Sequence, residues 1–136
     1  MPEKDYHLEI ESNAKNLITV EEFVNYFAVD LNITADKIQG LLLSVTEAST
    51  NAIVHGNKSD ETKVVTIDAT KVDNQLIISV KDQGKGFDPS KIPDPTETDN
   101  LLKDSGRGIY LMRVYMDDLK FNVTPEGTET ILTLNL

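Results

Sequence analysis

The sequence predicts an α+β domain: a two-layer sandwich with helices on one face of a mixed, mostly antiparallel sheet. Three observations carry that expectation. Two segments in the first half place apolar residues at helical spacing, whereas the second half is mostly β-branched runs punctuated by turn residues. The length of 136 residues suits one hydrophobic core. No internal repeat, low-complexity stretch or composition break divides the chain, so residues 1–136 are expected to form a single domain.

The elements follow in order. Tyr6–Ile10 alternates as a first strand, and Ile18–Leu31 carries Val20, Phe23, Val24, Phe27 and Leu31 at helical spacing. Thr34 is placed to cap a second helix from Ala35, whose buried stripe is Ile38, Leu41, Leu42, Val45, Ala48 and Ala52. Gly56-Asn57 is its natural stop. Lys63–Thr70 and Gln75–Lys81 are β-rich, and Asp73-Asn74 between them predicts a hairpin. Asp88–Ser105 holds three of the five prolines and has no apolar period, as expected of a long functional loop or an unstructured one. A short helix over Gly108–Tyr115, a strand over Leu119–Thr124, a turn at Pro125-Glu126-Gly127 and a last strand over Thr130–Leu136 complete the chain.

Composition narrows the function. No apolar run approaches the ~18 residues of a membrane span, and Met1–Tyr6 is too charged to open a signal peptide. A cytoplasmic protein without membrane attachment is the expectation. Without cysteine there is neither a disulfide framework nor thiolate chemistry. The net charge of −10 repels phosphate backbones, so direct nucleic-acid binding is not expected. That charge serves solubility, or the recognition of a basic protein partner.

Four of the seven glycines fall in two Gly-x-Gly pairs. Asp82-Gln83-Gly84-Lys85-Gly86-Phe87 follows a β-like run; glycines there leave room for a flat base, and a carboxylate accepts from an exocyclic amine. Ser105-Gly106-Arg107-Gly108 precedes a helix, where unpaired N–H groups hold an anion and Arg107 adds a charge-assisted contact. Neither matches a dinucleotide fingerprint or a P-loop. Upstream, Glu47, Asn51 and His55 stand four apart and form one polar column on the second helix. They offer a carboxylate that can take a proton and an amide oxygen that can bind Mg²⁺ together with nucleotide phosphates. Each motif has a plain alternative: a solvated helix face, an ordinary turn, a hinge. In Gly127-Thr128-Glu129-Thr130 a hydroxyl either meets a nucleotide or caps a turn, and Thr130 is the candidate nucleotide contact. His7, alone in an early strand, is read as a surface or packing residue.

Assembled in this order, the motifs resemble those of the histidine-kinase-like ATPase domain, the Bergerat or GHKL fold, over roughly Ile38 to Leu136. Glu47-x-x-x-Asn51-Ala52-x-x-His55-Gly56 is similar to its N box, Asp82-x-Gly84-x-Gly86-Phe87 to its G1 box and Gly106-x-Gly108 to its G2 box. Chain length and Gly108-Ile109-Tyr110-Leu111-Met112 with Met116-Asp117-Asp118 resemble the bacterial anti-sigma factor serine/threonine-protein kinases. The resemblance implies ATP and Mg²⁺ as cofactors. It implies Glu47 as catalytic base, Asn51 as Mg²⁺ ligand and Asp82 on the adenine amine, with Gly84 and Gly86 beneath the base. Gly106, Arg107 and Gly108 would close on the phosphates behind an ATP lid of about 88–105, and His55 would support the N box. Implied partners are a sigma factor and an anti-anti-sigma protein of the STAS type, with a homodimer as the implied assembly. The implied activity is phosphorylation of a Ser or Thr on that antagonist, combined with sequestration of the sigma factor; the alternative is an ATP-binding partner-switch module without kinase activity. One departure bears on that choice: some kinases of the family carry arginine immediately before Ser-Gly-x-Gly, where this chain has Asp104.

Overall fold

The structure, a computed structural model, describes residues 4–84 and 104–136, and of residues 104–107 the backbone alone. The order is β1 (Lys4–Glu11), a 3₁₀ turn (Ala14–Asn16), α1 (Leu17–Asp30), α2 (Ala35–Thr50), a π-helical turn (Asn51–Gly56), β2 (Val64–Val72), β3 (Gln75–Lys81), α3 (Asp104–Tyr115), β4 (Asp118–Thr124) and β5 (Gly127–Asn135). The five strands lie in the order β1-β2-β3-β5-β4, and every described pairing is antiparallel.

Side chains alternate across the sheet, and that alternation aims the site residues. Val65, Ile67 and Ala69 of β2, Leu76, Ile78 and Val80 of β3, and Leu132 and Leu134 of β5 are buried on one face. They share a core with Val20, Val24 and Phe27 of α1, Leu41, Val45 and Ala48 of α2, and Ile109 and Met112 of α3. Asp82 continues the phase of Leu76, Ile78 and Val80, so it meets the helix layer just past the end of β3. Thr128 and Thr130 share the phase of Leu132 and Leu134 and line the same face. The opposite face carries His7, Asp68, Ile77, Ser79, Glu129 and Ile131, and no described element covers it.

The elements differ from the sequence expectation mainly at their ends. The hairpin turn is Asp73-Asn74, with Val72 opposite Gln75 and Asp73 at φ 54, the left-handed backbone such a two-residue turn demands. Thr34 sits before α2 in extended backbone, but its hydroxyl makes no capping bond. The second helix does not run as α-helix to Gly56. After Thr50 it loosens into a π turn, and the Asn57 N–H reaches back five residues to the Ala52 carbonyl at 2.8 Å. α3 begins at Asp104, four residues before the expected start, so Gly106 and Gly108 lie inside its first two turns. Glycine is disfavoured inside helices; packing of Ile109, Met112 and Met116 into the core outweighs that preference. β5 begins at Gly127, because Pro125-Glu126 alone makes the turn. The segment expected to form a lid lies outside the described residues except for Asp104 and Ser105, which are helical.

Candidate functional site

Asp82 is the best-determined side chain of the site. Its Oδ1 accepts from the backbone N–H of Gly84 at 3.0 Å and of Thr128 at 3.1 Å. Its own N–H donates to the Thr128 carbonyl at 3.0 Å. One carboxylate oxygen is thereby held by two donors, a charge-assisted arrangement stronger than its neutral counterpart. The other, Oδ2, faces Gly56 so closely that a β-carbon on Gly56 would stand 2.2 Å from it. Gly84 in turn lies on the Gly56 carbonyl, where a β-carbon would be only 1.9 Å away. Two glycines, one from the N box and one from the G1 box, thus allow the helix end and the strand end to touch through backbone alone.

From that contact the site runs back along α2. Asn51 is the first residue of the π turn, and Glu47 lies one turn earlier; both are half-buried. His55 is exposed. A π turn winds more loosely than an α-helix, so the fourth residue on no longer completes a turn and the expected three-residue column is broken after Asn51. At the far end, α3 approaches Glu47: a β-carbon on Gly108 would lie 2.6 Å from the Glu47 Oε2. Because α3 starts at Asp104, Gly106 and Arg107 fall among its first four N–H groups, which have no partner within the helix. Glu47 and Gly56 are nine residues apart, roughly 13 Å along a helix axis. The Asp82 end and the Glu47 end are therefore the two ends of one elongated site. The Arg107 side chain and all of Gly86 lie outside what is described.

Two features of the site went unread in the sequence. Of the two threonines entering β5, Thr128 is the one beside Asp82. Thr130 lies two residues further into the sheet, opposite Val80 and Phe121. The Thr128 Oγ1 is buried and has no hydrogen-bond partner among the described residues, an orphaned hydroxyl at the place where a ligand would meet Asp82. Asn57, read as a helix stop, is fully buried and saturated. Its Oδ1 accepts from the Gln83 N–H at 2.7 Å, and its Nδ2 donates to Ser12 Oγ at 2.8 Å and to the Val64 carbonyl at 3.0 Å. Gln83 completes the lattice, its Oε1 accepting from the Val64 N–H at 2.8 Å. The Gly-Thr step at a strand entrance was a readable signal for Thr128. Nothing local marks Asn57, because its partners come from β1, β2 and the turn after β3.

The described residues fit a nucleotide. The glycine contact, the Asp82 Oδ2 beside it and the buried Thr128 hydroxyl suit the amine-bearing edge of a base, and the first turn of α3 suits phosphate. No three described His, Asp or Glu residues cluster as a metal cage. Mg²⁺ held by the Asn51 oxygen, phosphate oxygens and water would need none. A cleft of about 530 Å³ at the opposite end of the sheet, lined among others by Lys4, Asp30, Lys71 and Asp73, contains none of the motif residues.

Known proteins share this fold and sequence pattern. Residues 10–134 match the model of the histidine kinase-like ATPase domain. The anti-sigma F factor of Clostridium perfringens is 32% identical over 128 residues, 92% of this chain and 91% of that one. The anti-sigma F factor of Caldanaerobacter subterraneus is 33% identical over 93% of this chain and 90% of that one. A Mycobacterium tuberculosis structure of RsbU and RsbW domains superposes with a TM-score of 0.74 at 16% identity, covering 98% of this chain and 32% of that one. A histidine kinase domain from Erythrobacter litoralis superposes at 0.59 and 18% identity, over 93% and 62%. The structural matches share the fold; the sequence matches extend over nearly the whole of both chains. The chain belongs to the histidine kinase-like ATPase family, among the relatives of the anti-sigma F factors.

Proposed function

We propose that this protein is an ATP-dependent anti-sigma regulatory factor. It binds a sigma factor, and it phosphorylates a Ser or Thr of a STAS-type anti-anti-sigma protein to control which partner it holds. The observation that carries the reading is Asp82: a carboxylate with one oxygen fixed by two backbone donors and the other left beside Gly56, at one end of a site whose other end holds Glu47. The fixed oxygen sets the direction of Oδ2, which accepts from the exocyclic amine of adenine. Thr128 supplies a second polar group at that edge. The phosphates then run along α2 toward the N–H groups that open α3.

Bound Mg²⁺ would draw charge off the transferring phosphate. Asn51 supplies an oxygen to hold it, and the remaining chemistry belongs to side chains. Phosphoryl transfer needs position and charge compensation more than covalent help. Glu47, next to Gly108, orients the substrate hydroxyl and takes its proton as the oxygen attacks. The N–H groups of the first turn of α3, together with Arg107, would meet the phosphates. The name of the relatives, which match over about nine-tenths of both chains, supports a sigma factor as partner.

A second reading rests on Asp104, the acidic residue at the place where some kinases of the family carry arginine. In it the protein binds ATP to change partner affinity and transfers no phosphate. One experiment separates the two: incubation of purified protein with labelled ATP, Mg²⁺ and the candidate antagonist. Label on the antagonist supports the kinase. An unlabelled antagonist whose affinity still changes with ATP supports the switch.

A further inference from the structure

Asn57 holds more than a helix end. It is completely buried, and all of its hydrogen-bonding groups are used. Its N–H reaches the Ala52 carbonyl, and its carbonyl accepts from Asp60 N at 3.0 Å. Its amide joins three pieces of chain: Ser12 at the end of β1, Val64 at the start of β2, and Gln83 in the turn after β3. Ser12 is itself anchored, its hydroxyl donating to the Lys63 carbonyl at 2.7 Å. The chain leaves Asn57 through Lys58 and Ser59, both in left-handed backbone at φ 56 and 55. Two successive non-glycine residues in that region are strained and persist only where the surroundings over-determine them. The Asn57 lattice and the bond from the Ser59 N–H to the Ile53 carbonyl at 2.8 Å hold this turn.

The two ends of the amide do different work. Nδ2 points to the scaffold. Oδ1 points to the Gln83 N–H, and that peptide N–H follows directly on Asp82. Fixing the Gln83 N–H fixes the peptide plane through which Asp82 leaves β3, and with it the backbone from which the carboxylate reaches the Gly84 and Thr128 N–H groups that orient it. We infer that Asn57 is a positioning residue for base selectivity: by holding the Asp82–Gln83 peptide, it keeps the carboxylate where an amine-bearing base edge is accepted and a carbonyl-bearing edge is repelled. A site that can rotate its acceptor loses this discrimination, because the wrong base then leaves no buried group unpaired.

This inference rests on the adenine-nucleotide reading and deepens it. The test is the ratio of ATP to GTP affinity, measured by calorimetry in the parent, Asn57→Ala and Ser12→Ala proteins, each with its melting temperature. Asn57→Ala is expected to lower the ratio about tenfold, the equivalent of one hydrogen bond out of alignment. Ser12→Ala removes a scaffold partner only, and is expected to lower the melting temperature with the ratio unchanged. An Asn57→Ala protein that melts earlier but keeps the parental ratio reduces Asn57 to a structural role and overturns the inference. Should that variant not fold, hydrogen exchange in the parent decides. The Gln83 amide must exchange slowly without nucleotide, and exchange at the rate of an open amide overturns the inference. A parent that binds ATP no better than GTP defeats the adenine reading itself, whereas a selective parent with an equally selective Asn57→Ala defeats this inference alone.

Discussion

The two ends of the site are built by different physics. At the base end, Asp82, Gln83, Asn57 and Thr128 are joined by hydrogen bonds between groups from β1, β2, β3, β5 and the end of the π turn. Toward Glu47, packing contributes to the meeting of α2 and α3: Tyr115 lies over Gly40 nearer the start of α2, Gly108 lies by Glu47, and Met112 and Met116 seat α3 on the core. Hydrogen bonds are directional and fix an orientation. Methionine is unbranched and adapts its shape to its neighbours, so helix packing built on it tolerates small displacements. We read the locked end as the one that recognises, and the other, where a packed interface seats α3, as the one that reacts.

The largest expected effect lies at the reacting end. Glu47→Gln keeps size and helix propensity but removes the basic oxygen, so phosphoryl transfer should fall ~10²–10⁴-fold, the range for a general base. ATP binding should be largely retained, because the loss concerns the transition state. Paired kinetics and calorimetry check this; a variant that transfers at the parental rate removes Glu47 from the chemistry. Asn51→Ala should instead weaken binding of ATP with Mg²⁺ more than binding of ATP with chelator. Equal losses in both conditions would argue against Asn51 as the metal ligand.

At the locked end, Asp82→Asn replaces a charged acceptor worth ~1.5–3 kcal/mol, so ATP affinity should fall about tenfold or more. Gly56→Ala sharpens the comparison, since the new β-carbon cannot stand 2.2 Å from the Asp82 carboxylate. The carboxylate must move, and ATP affinity should fall with it. An added methyl at position 56 that leaves affinity intact would mean that the contact is slack and the two ends are not so different.

The smallest effect belongs to neither end. His7, on the open sheet face, lies 2.5 Å from Asp68 through Nδ1, and that hydrogen bond to the carboxylate raises its pKa above the ordinary value of 6.5. A raised folded-state pKa contributes stability that is fully present below 6.5 and is lost as pH rises through the folded value. His7→Gln should flatten stability against pH in that window and leave ATP affinity unchanged. A nucleotide affinity that followed this titration would connect the open face to the site.

The sequence made the reacting end easier to read than the locked one. Glu47 and Asn51 stand at helical spacing beside a buried stripe, and the Gly-x-Gly pairs announce themselves in a chain with few glycines. The core followed from the same periodicity: Leu41, Val45, Ala48 and Ala52 are buried as expected. The π turn was not legible, because Ala52-Ile53-Val54-His55 continues an α-helical pattern and nothing in it encodes one extra residue per turn. Asn57 was not legible either, since its partners Ser12 and Gln83 are distant in sequence and are brought together only by the sheet. The start of α3 was misplaced because Ser-Gly-x-Gly reads as loop by propensity, while burial further along the helix decides the matter. That Thr128 rather than Thr130 adjoins Asp82 was not legible, because β5 was expected to begin at Thr130 and it begins at Gly127.

The π turn also makes the site sensitive to chain length as well as to residue type. It holds a surplus position just before Gly56, and Val54 within it is exposed and 39% accessible. The wide turn absorbs that residue, so the chain beyond it keeps its bearing; an insertion there, with no second wide turn to absorb it, would turn everything beyond by about 100°, one residue's share of a 3.6-residue turn. Gly56 would swing off Asp82, and Asn57 would leave Gln83. An added residue at an exposed position would dismantle that contact while Glu47 stayed in place.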